Sequence, residues 1–179
     1  MTTRLWLPAL AAGIALATPA HASDKGWARG SDVGEAALAA AALGIPVARH
    51  DWKGALQTTG AMGAAELIAL SLKQTIHETR PDGSDRKSFP SGHASLSFAA
   101  AASLHQRYGW QAGLPATLVA AFVGVARVEA DKHYWHDVVA GAVIGEAAGF
   151  LIVHPHDERV RIVPWGDAHS GGVSLGMRF

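Results

Sequence analysis

Gly141, Gly145 and Gly149 recur at every fourth residue late in the chain. In a helix that spacing sets all three on one face. A face without side chains lets a second helix approach to backbone distance, as in paired membrane helices. In a soluble bundle it makes an equally tight crossing. The stripe therefore asks for helices packed on helices. Hydrophobic residues make up 49% of the chain, and alanine carries much of that share. Mean hydropathy is only +0.14, between a soluble helical bundle and a weakly hydrophobic membrane bundle.

Breaks in the apolar pattern divide the chain. Residues 1–22 read as a secretory signal. Arg4 supplies the positive start, Leu5 to Ala17 the apolar stretch, and Ala20-His21-Ala22 a small-residue cleavage site. An uncleaved first membrane helix is the alternative, and both place the following chain on the exported side. Residues 23–153 form the helical domain. Ser23 to Ser31 reads as a linker, and Asp32 with Glu35 as a capping arrangement. A first helix follows over Gly34 to Ala42, ended by Gly44 and Pro46. The second helix runs over Gly54 to Ile76, with Glu66 on a polar face, and Pro81 stops it. The third runs from Ala94 to Arg107, closed by Tyr108-Gly109. The fourth covers Leu114 to Val128, with Pro115 in its first turn. The fifth runs from Asp137, as its cap, to Val153. Residues 154–179 change to period-two alternation at Val160, Ile162, Val173, Leu175, Met177 and Phe179. That predicts a short hairpin turning at Gly171-Gly172. The expected fold is thus all-α, about five helices, soluble or membrane-embedded, with a small β-hairpin.

Lys+Arg and Asp+Glu both total 15, which argues against a nucleic-acid partner. The absence of cysteine excludes thiolate catalysis, disulfides and cysteine zinc sites. Chemistry concentrates at helix ends. Lys73 and Arg80-Pro81 stand at the end of the second helix. Pro90-Ser91-Gly92-His93 opens the third, where unpaired N–H groups and the helix dipole favour an anion. Ser91 adds a hydroxyl and Gly92 permits close approach. Arg127, His133 and Asp137 span the link between the fourth and fifth helices. Antiparallel succession brings all three groups to one end of the bundle. Lys73, Arg80 and Arg127 can neutralise a dianion there. His133 can attack phosphorus, Asp137 can orient its other ring nitrogen, and His93 can protonate the leaving oxygen and then activate water.

The set resembles the type 2 phosphatidic acid phosphatase superfamily, which also contains bacterial class A acid phosphatases and vanadium haloperoxidases. The family pattern is a Lys, six residues, then Arg-Pro; a Pro-Ser-Gly-His; and a Ser-Arg, five residues, His, three residues, Asp. Lys73 with Arg80-Pro81, Pro90 to His93, and Arg127, His133 and Asp137 match it over roughly residues 50–153. Ala126 departs from it, standing where the family often has Ser. The resemblance implies that Lys73, Arg80 and Arg127 bind phosphate with help from Ser91 and Gly92. It implies a phosphohistidine at His133, His93 as acid then base, and Asp137 in support. It also implies no metal or other cofactor in the phosphatases. Arg86 and Lys87 are expected to help admit anionic substrates, and His136 is off-register.

The main expectation is a metal-independent phosphatase of phosphomonoesters or diphosphates at the inner membrane, its site facing the periplasm. The implied substrates are lipid phosphates: phosphatidate, phosphatidylglycerophosphate, an undecaprenyl diphosphate or a lipid A phosphate. The alternatives are a soluble, broad-specificity periplasmic acid phosphatase, a vanadate-dependent haloperoxidase and a noncatalytic envelope scaffold.

Overall fold

A computed structural model of the chain describes residues 23–156, 160–166 and 170–177. The signal-like residues 1–22 and the terminal Phe179 lie outside the described residues. Five helices follow one another: α1 (Asp24–Ala48), α2 (Trp52–Thr75), α3 (Gly92–Tyr108), α4 (Trp110–Glu129) and α5 (Trp135–Ile152). A hairpin of β1 (Val160–Gly166) and β2 (Gly171–Met177) ends the described chain.

α3 is the centre, packed against each of the other four helices. Its sequence explains the position. Ala94, Ser95, Ser97, Ala99 to Ala102 and Ser103 are all buried, so α3 presents small side chains nearly all round. Two of the three serines return their hydroxyls to the helix, Ser95 Oγ donating to the Ser91 carbonyl (3.0 Å) and Ser103 Oγ to that of Ala99 (2.7 Å), while the buried Ser97 hydroxyl has no partner among the described residues. The glycine stripe of α5 lies against this helix. A Cβ added at Gly141 would stand 2.5 Å from the Ser91 carbonyl oxygen, and one at Gly145 2.4 Å from that of Ser95. The tight crossing expected from the stripe is thus the α3–α5 contact.

Several boundaries differ from expectation. α1 includes the supposed linker, because Ser23 caps it by accepting from Gly26 N–H (3.3 Å) and Trp27 packs on Phe122. Pro46 lies inside its last turn and is buried there, where the missing N–H breaks one bond rather than a continuing ladder. Asp51 caps α2, which starts two residues before the expected position, by accepting from Gly54 N–H (3.0 Å). α4 starts a turn early, directly after Gly109, whose φ of 82° lets the chain reverse out of α3. Pro115 therefore sits beyond its first turn. α5 begins at Trp135, so Asp137 is not its cap residue. It stands three residues inside the cap position, with its carboxylate reaching back to Tyr134 N–H (2.9 Å). The hairpin pairs Ile162 with Leu175 and Val160 with Met177. Gly171 and Gly172, expected in the turn, belong to β2, opposite Gly166 and Trp165.

The end of the bundle away from the three motifs is locked. Arg107 Nε donates to Asp51 Oδ2 (2.7 Å), Arg107 Nη2 to Asp51 Oδ1, and Tyr108 Oη to Asp51 Oδ2 (2.9 Å). Arg107 Nη1 holds the carbonyl of His154 (2.8 Å) and so ties down the chain leaving α5. α1, α4 and α5 are long and apolar enough to cross a membrane.

Candidate active site

Antiparallel succession does collect the motifs at one end. A cavity of about 280 Å³ opens there, lined by Glu35, Glu66, Lys73, Arg80, Gly92, His93, Leu96, Arg127 and His133. Six of these are sequence-predicted site residues.

Asp137 and His133 are built from the α5 N-terminus. Asp137 is fully buried and His133 nearly so. Asp137 Oδ2 accepts from Tyr134 N–H (2.9 Å) and from Ser88 Oγ (2.5 Å), and lies 3.4 Å from His133 Nδ1. Asp137 also gives its carbonyl to Ser91 N–H (3.0 Å), which ties α5 to the start of α3. The Nδ1 contact assigns that nitrogen the proton and leaves Nε2 with the lone pair. Nε2 lies 3.4 Å from Arg80 Nη1. Burial, then the charges of Arg80, Lys73 and Arg127, hold His133 well below the usual histidine range, against the pull of Asp137. A neutral imidazole aimed at a cationic cavity is a competent nucleophile toward phosphorus.

The cations are held rather than loose. Lys73 Nζ donates to the carbonyls of Lys87 (2.8 Å), Ser88 (3.3 Å) and Pro90, so it clamps the loop before α3 as well as lining the cavity. Arg80 Nε donates to Asp85 Oδ1 (2.8 Å) and Arg80 Nη1 to the Lys132 carbonyl (3.2 Å). That second bond joins the loop after α2 to the loop before α5, as does the ion pair of Lys132 with Asp82 (2.5 Å). Arg127, nearly buried, donates through Nη1 to Ser31 Oγ (3.2 Å) and Asp32 Oδ1 (3.4 Å).

At the α3 N-terminus the predicted residues divide. Gly92 lines the cavity, and a Cβ there would meet Glu66 Oε2 only at 3.6 Å, so the bare backbone leaves room beside the first-turn N–H groups. Ser91 is buried, and its hydroxyl caps α3 by accepting from Ala94 N–H (3.4 Å); it does not line the cavity. His93 does, with Nε2 at 2.9 Å from Asp32 Oδ1 and 3.0 Å from Glu35 Oε2. Arg86 and Lys87 are exposed on the preceding loop and are not among the lining residues.

Sequence reasoning missed four site residues. Ser88 stands two residues before the Pro90–His93 motif, and nothing local in the sequence points to its partner Asp137. Asp32 and Glu35 were read only as a capping pair, and Glu66 was read onto a polar face, whereas it lines the cavity. Their spacing from one another carries a signal for α1 alone; their link to His93 is made only by folding. His136 lies beside the site, with Nε2 2.8 Å from Glu78 Oε1 and its ring stacked on Tyr134. Glu78, His136 and Asp137 bring three potential ligand atoms within 4.8 Å of one another.

Residues 54–161, more than half of the chain, match the PAP2 superfamily model. The chain is 31% identical over 111 residues to a lipid A 1-phosphatase of Porphyromonas gingivalis, covering 56% of this chain and 25% of that protein. It is 35% identical over 72 residues to a lipid A 4'-phosphatase of Helicobacter pylori, covering 40% of this chain and 36% of that protein. The chain thus spans about a quarter to a third of the length of these curated relatives. The crystal structure of Aquifex aeolicus LpxE superposes with a TM-score of 0.62 at 22% identity, over 72% of this chain and 83% of that one. A PAP2-type phosphatidylglycerolphosphate phosphatase from Bacillus subtilis superposes at 0.56 and 23% identity, over 72% of this chain and 74% of that one. Both share the fold.

Proposed function

Because the chain belongs to the PAP2 superfamily, we propose that it is a metal-independent lipid phosphate phosphatase working through a phosphohistidine on His133. The observation that carries this reading is the ordered pair His133–Asp137. Nδ1 faces a buried carboxylate that also accepts from Ser88 and Tyr134, and Nε2 faces a cavity lined by Lys73, Arg80 and Arg127.

In the proposed reaction Arg80, Arg127 and the first-turn N–H groups at Gly92 hold the phosphoryl oxygens. Lys73, whose protons are already matched to carbonyls, adds charge and holds the loop. His133 Nε2 forms a bond to phosphorus as the bond to the leaving oxygen breaks, and His93 gives that oxygen a proton. Water then attacks phosphorus, His93 takes a proton from it, and the phosphorus–nitrogen bond breaks. Ser91 serves as the cap that aims the α3 terminus.

A lipid substrate is supported by the outer surface. Leu114, Leu118, Phe122 and Val125 of α4 are exposed, as are Val139, Val143, Phe150 and Leu151 of α5. Trp52 and Trp110 stand exposed at the locked end, and Tyr134 and Trp135 at the site end. An apolar band between two aromatic girdles is the pattern of a protein seated in a bilayer. The lipid A phosphatases among the relatives favour a phosphorylated bacterial lipid, with the site on the periplasmic face of the inner membrane.

Phosphate release by the purified chain in detergent with EDTA tests the reading, with a soluble aryl phosphate beside phosphatidate and lipid A. Release from the lipids that survives EDTA and is lost in His133→Ala is expected. Release abolished by EDTA, or retained in His133→Ala, refutes it.

A further inference from the structure

On the phosphatase reading above, we propose that Asp32 and Glu35 of α1 are positioning residues that hold His93 as the proton donor. α1 lies outside the residues matched by the family model. Yet two of its carboxylates meet on one nitrogen, His93 Nε2, at 2.9 Å and 3.0 Å. Two acceptors on one ring nitrogen assign it the proton. Nε2 is therefore the atom that delivers the proton to the leaving oxygen. One carboxylate yields its place to that oxygen while the other keeps the ring aimed. The positions suit the division: Glu35 lines the cavity, and Asp32 stands more exposed beside it.

Charge gives the pair its second effect. The other charged and titratable groups facing this end of α3 are Glu66 and Lys73 of α2, Arg80 of the following loop, Arg127 of α4 and His133 before α5. Burial, then the charges of Arg127 and Arg80, hold His93 below the usual histidine range, and the carboxylate of Asp32 at 2.9 Å pulls the other way. Asp32 also accepts from Arg127 Nη1 (3.4 Å), beside Ser31 (3.2 Å), so α1 holds the proton donor and one phosphate-binding cation on adjacent residues.

Replacing both carboxyl groups by amides while keeping the shapes isolates this role. In the full chain carrying Asp32→Asn and Glu35→Gln, the pH at which kcat/KM falls on the alkaline side should drop by about 1 unit or more. The loss should also depend on the leaving group. Dioctanoyl phosphatidate, whose alkoxide needs a proton, should lose about tenfold or more in kcat/KM. p-Nitrophenyl phosphate, whose phenolate leaves readily, should lose several-fold less. If the double variant does not fold, each single variant is expected to show the same two effects, reduced. An unmoved alkaline limb overturns the proposal, as does an equal loss for both substrates. Those outcomes occur in an active wild type, so they differ from a folded wild type that releases no phosphate, which removes the phosphatase reading and this one together.

Discussion

Gly141→Ala inserts one methyl group at the α3–α5 crossing, and its cost follows from where that methyl points. The new Cβ would lie 2.5 Å from the Ser91 carbonyl oxygen and 3.0 Å from Ala94 Cβ, where ordinary contact begins at 3.4 Å. The nearest obstacle is backbone, so the helices must part by about 1 Å at this point. Overpacking of this kind costs about 1–3 kcal/mol, against about 1 kcal/mol gained in helix propensity. The net stability change is therefore small, about 0–2 kcal/mol. Activity should change far more. Ser91 N–H bonds the Asp137 carbonyl at 3.0 Å, and Ser88 Oγ bonds its carboxylate at 2.5 Å, so parting the helices here pulls His133 away from the α3 terminus. A misplacement of ~1 Å at reacting groups costs about 10²-fold in rate. Gly149→Ala is the control. Its Cβ would meet Ala102 Cβ at 2.4 Å, an equal clash two turns farther from the site. Phosphate release and thermal melting of both variants in one detergent give the comparison. Gly141→Ala with wild-type turnover, or Gly149→Ala losing as much turnover as Gly141→Ala, would refute the idea that this crossing sets the site.

Ser88→Ala removes a buried hydrogen bond to the Asp137 carboxylate (2.5 Å). It should cost about 1.5–3 kcal/mol in stability and lower kcat with KM unchanged, read by melting and by steady-state kinetics. Arg107→Met takes from Asp51, only 6% exposed, both of its guanidinium bonds and leaves it Tyr108, His156 and the Gly54 N–H. A loss of about 3–5 kcal/mol is expected in denaturant melts, with KM at the opposite end unaffected below the transition. His133 has its folded-state pKa lowered by burial and then by Arg80, Lys73 and Arg127. Its stabilising contribution is therefore complete above its unfolded value of about 6.5 and is lost as pH falls from there toward the folded value. The melting temperature of wild type should drop more steeply below pH ~6.5 than that of His133→Ala, measured by parallel melts across the acid range.

What was legible in the chain was what local spacing encodes. Arg127, His133 and Asp137 sit in one short segment, and Lys73 and Arg80 in another. Helix succession then needs only antiparallel order to bring them together. The glycine stripe was legible for the same reason, since its period is a property of a single helix. Boundaries were less so. Gly44 and Pro46 look like stops, but tertiary packing of Leu38, Ala42 and Pro46 carries α1 through them. Asp137 looks like a cap and is instead the third residue inside, because Trp135 and His136 can enter the helix once its carboxylate reaches back to Tyr134. The contacts of His93 with Asp32, 61 positions away, and of Ser88 with Asp137, 49 away, have no local pattern at all. They arise because α1 and the loop before α3 are brought to the same end by folding.

Those long-range oxygens resolve a difficulty that the motif residues raise alone. Lys73, Arg80 and Arg127 converge on one cavity, and like charges so gathered repel. Each cation is already met by oxygen: Lys73 by three carbonyls, Arg80 by Asp85 and the Lys132 carbonyl, Arg127 by Ser31 and Asp32. The cationic arrangement is thus stable before any phosphate arrives, and its donors are fixed in direction. A phosphate entering the cavity does not have to order loose side chains. In the proposed reaction it would exchange for contacts such as that between Arg127 and Asp32. The same fixed donors would then face the charge that develops as the leaving bond breaks, which is where a preorganised site directs its interaction energy.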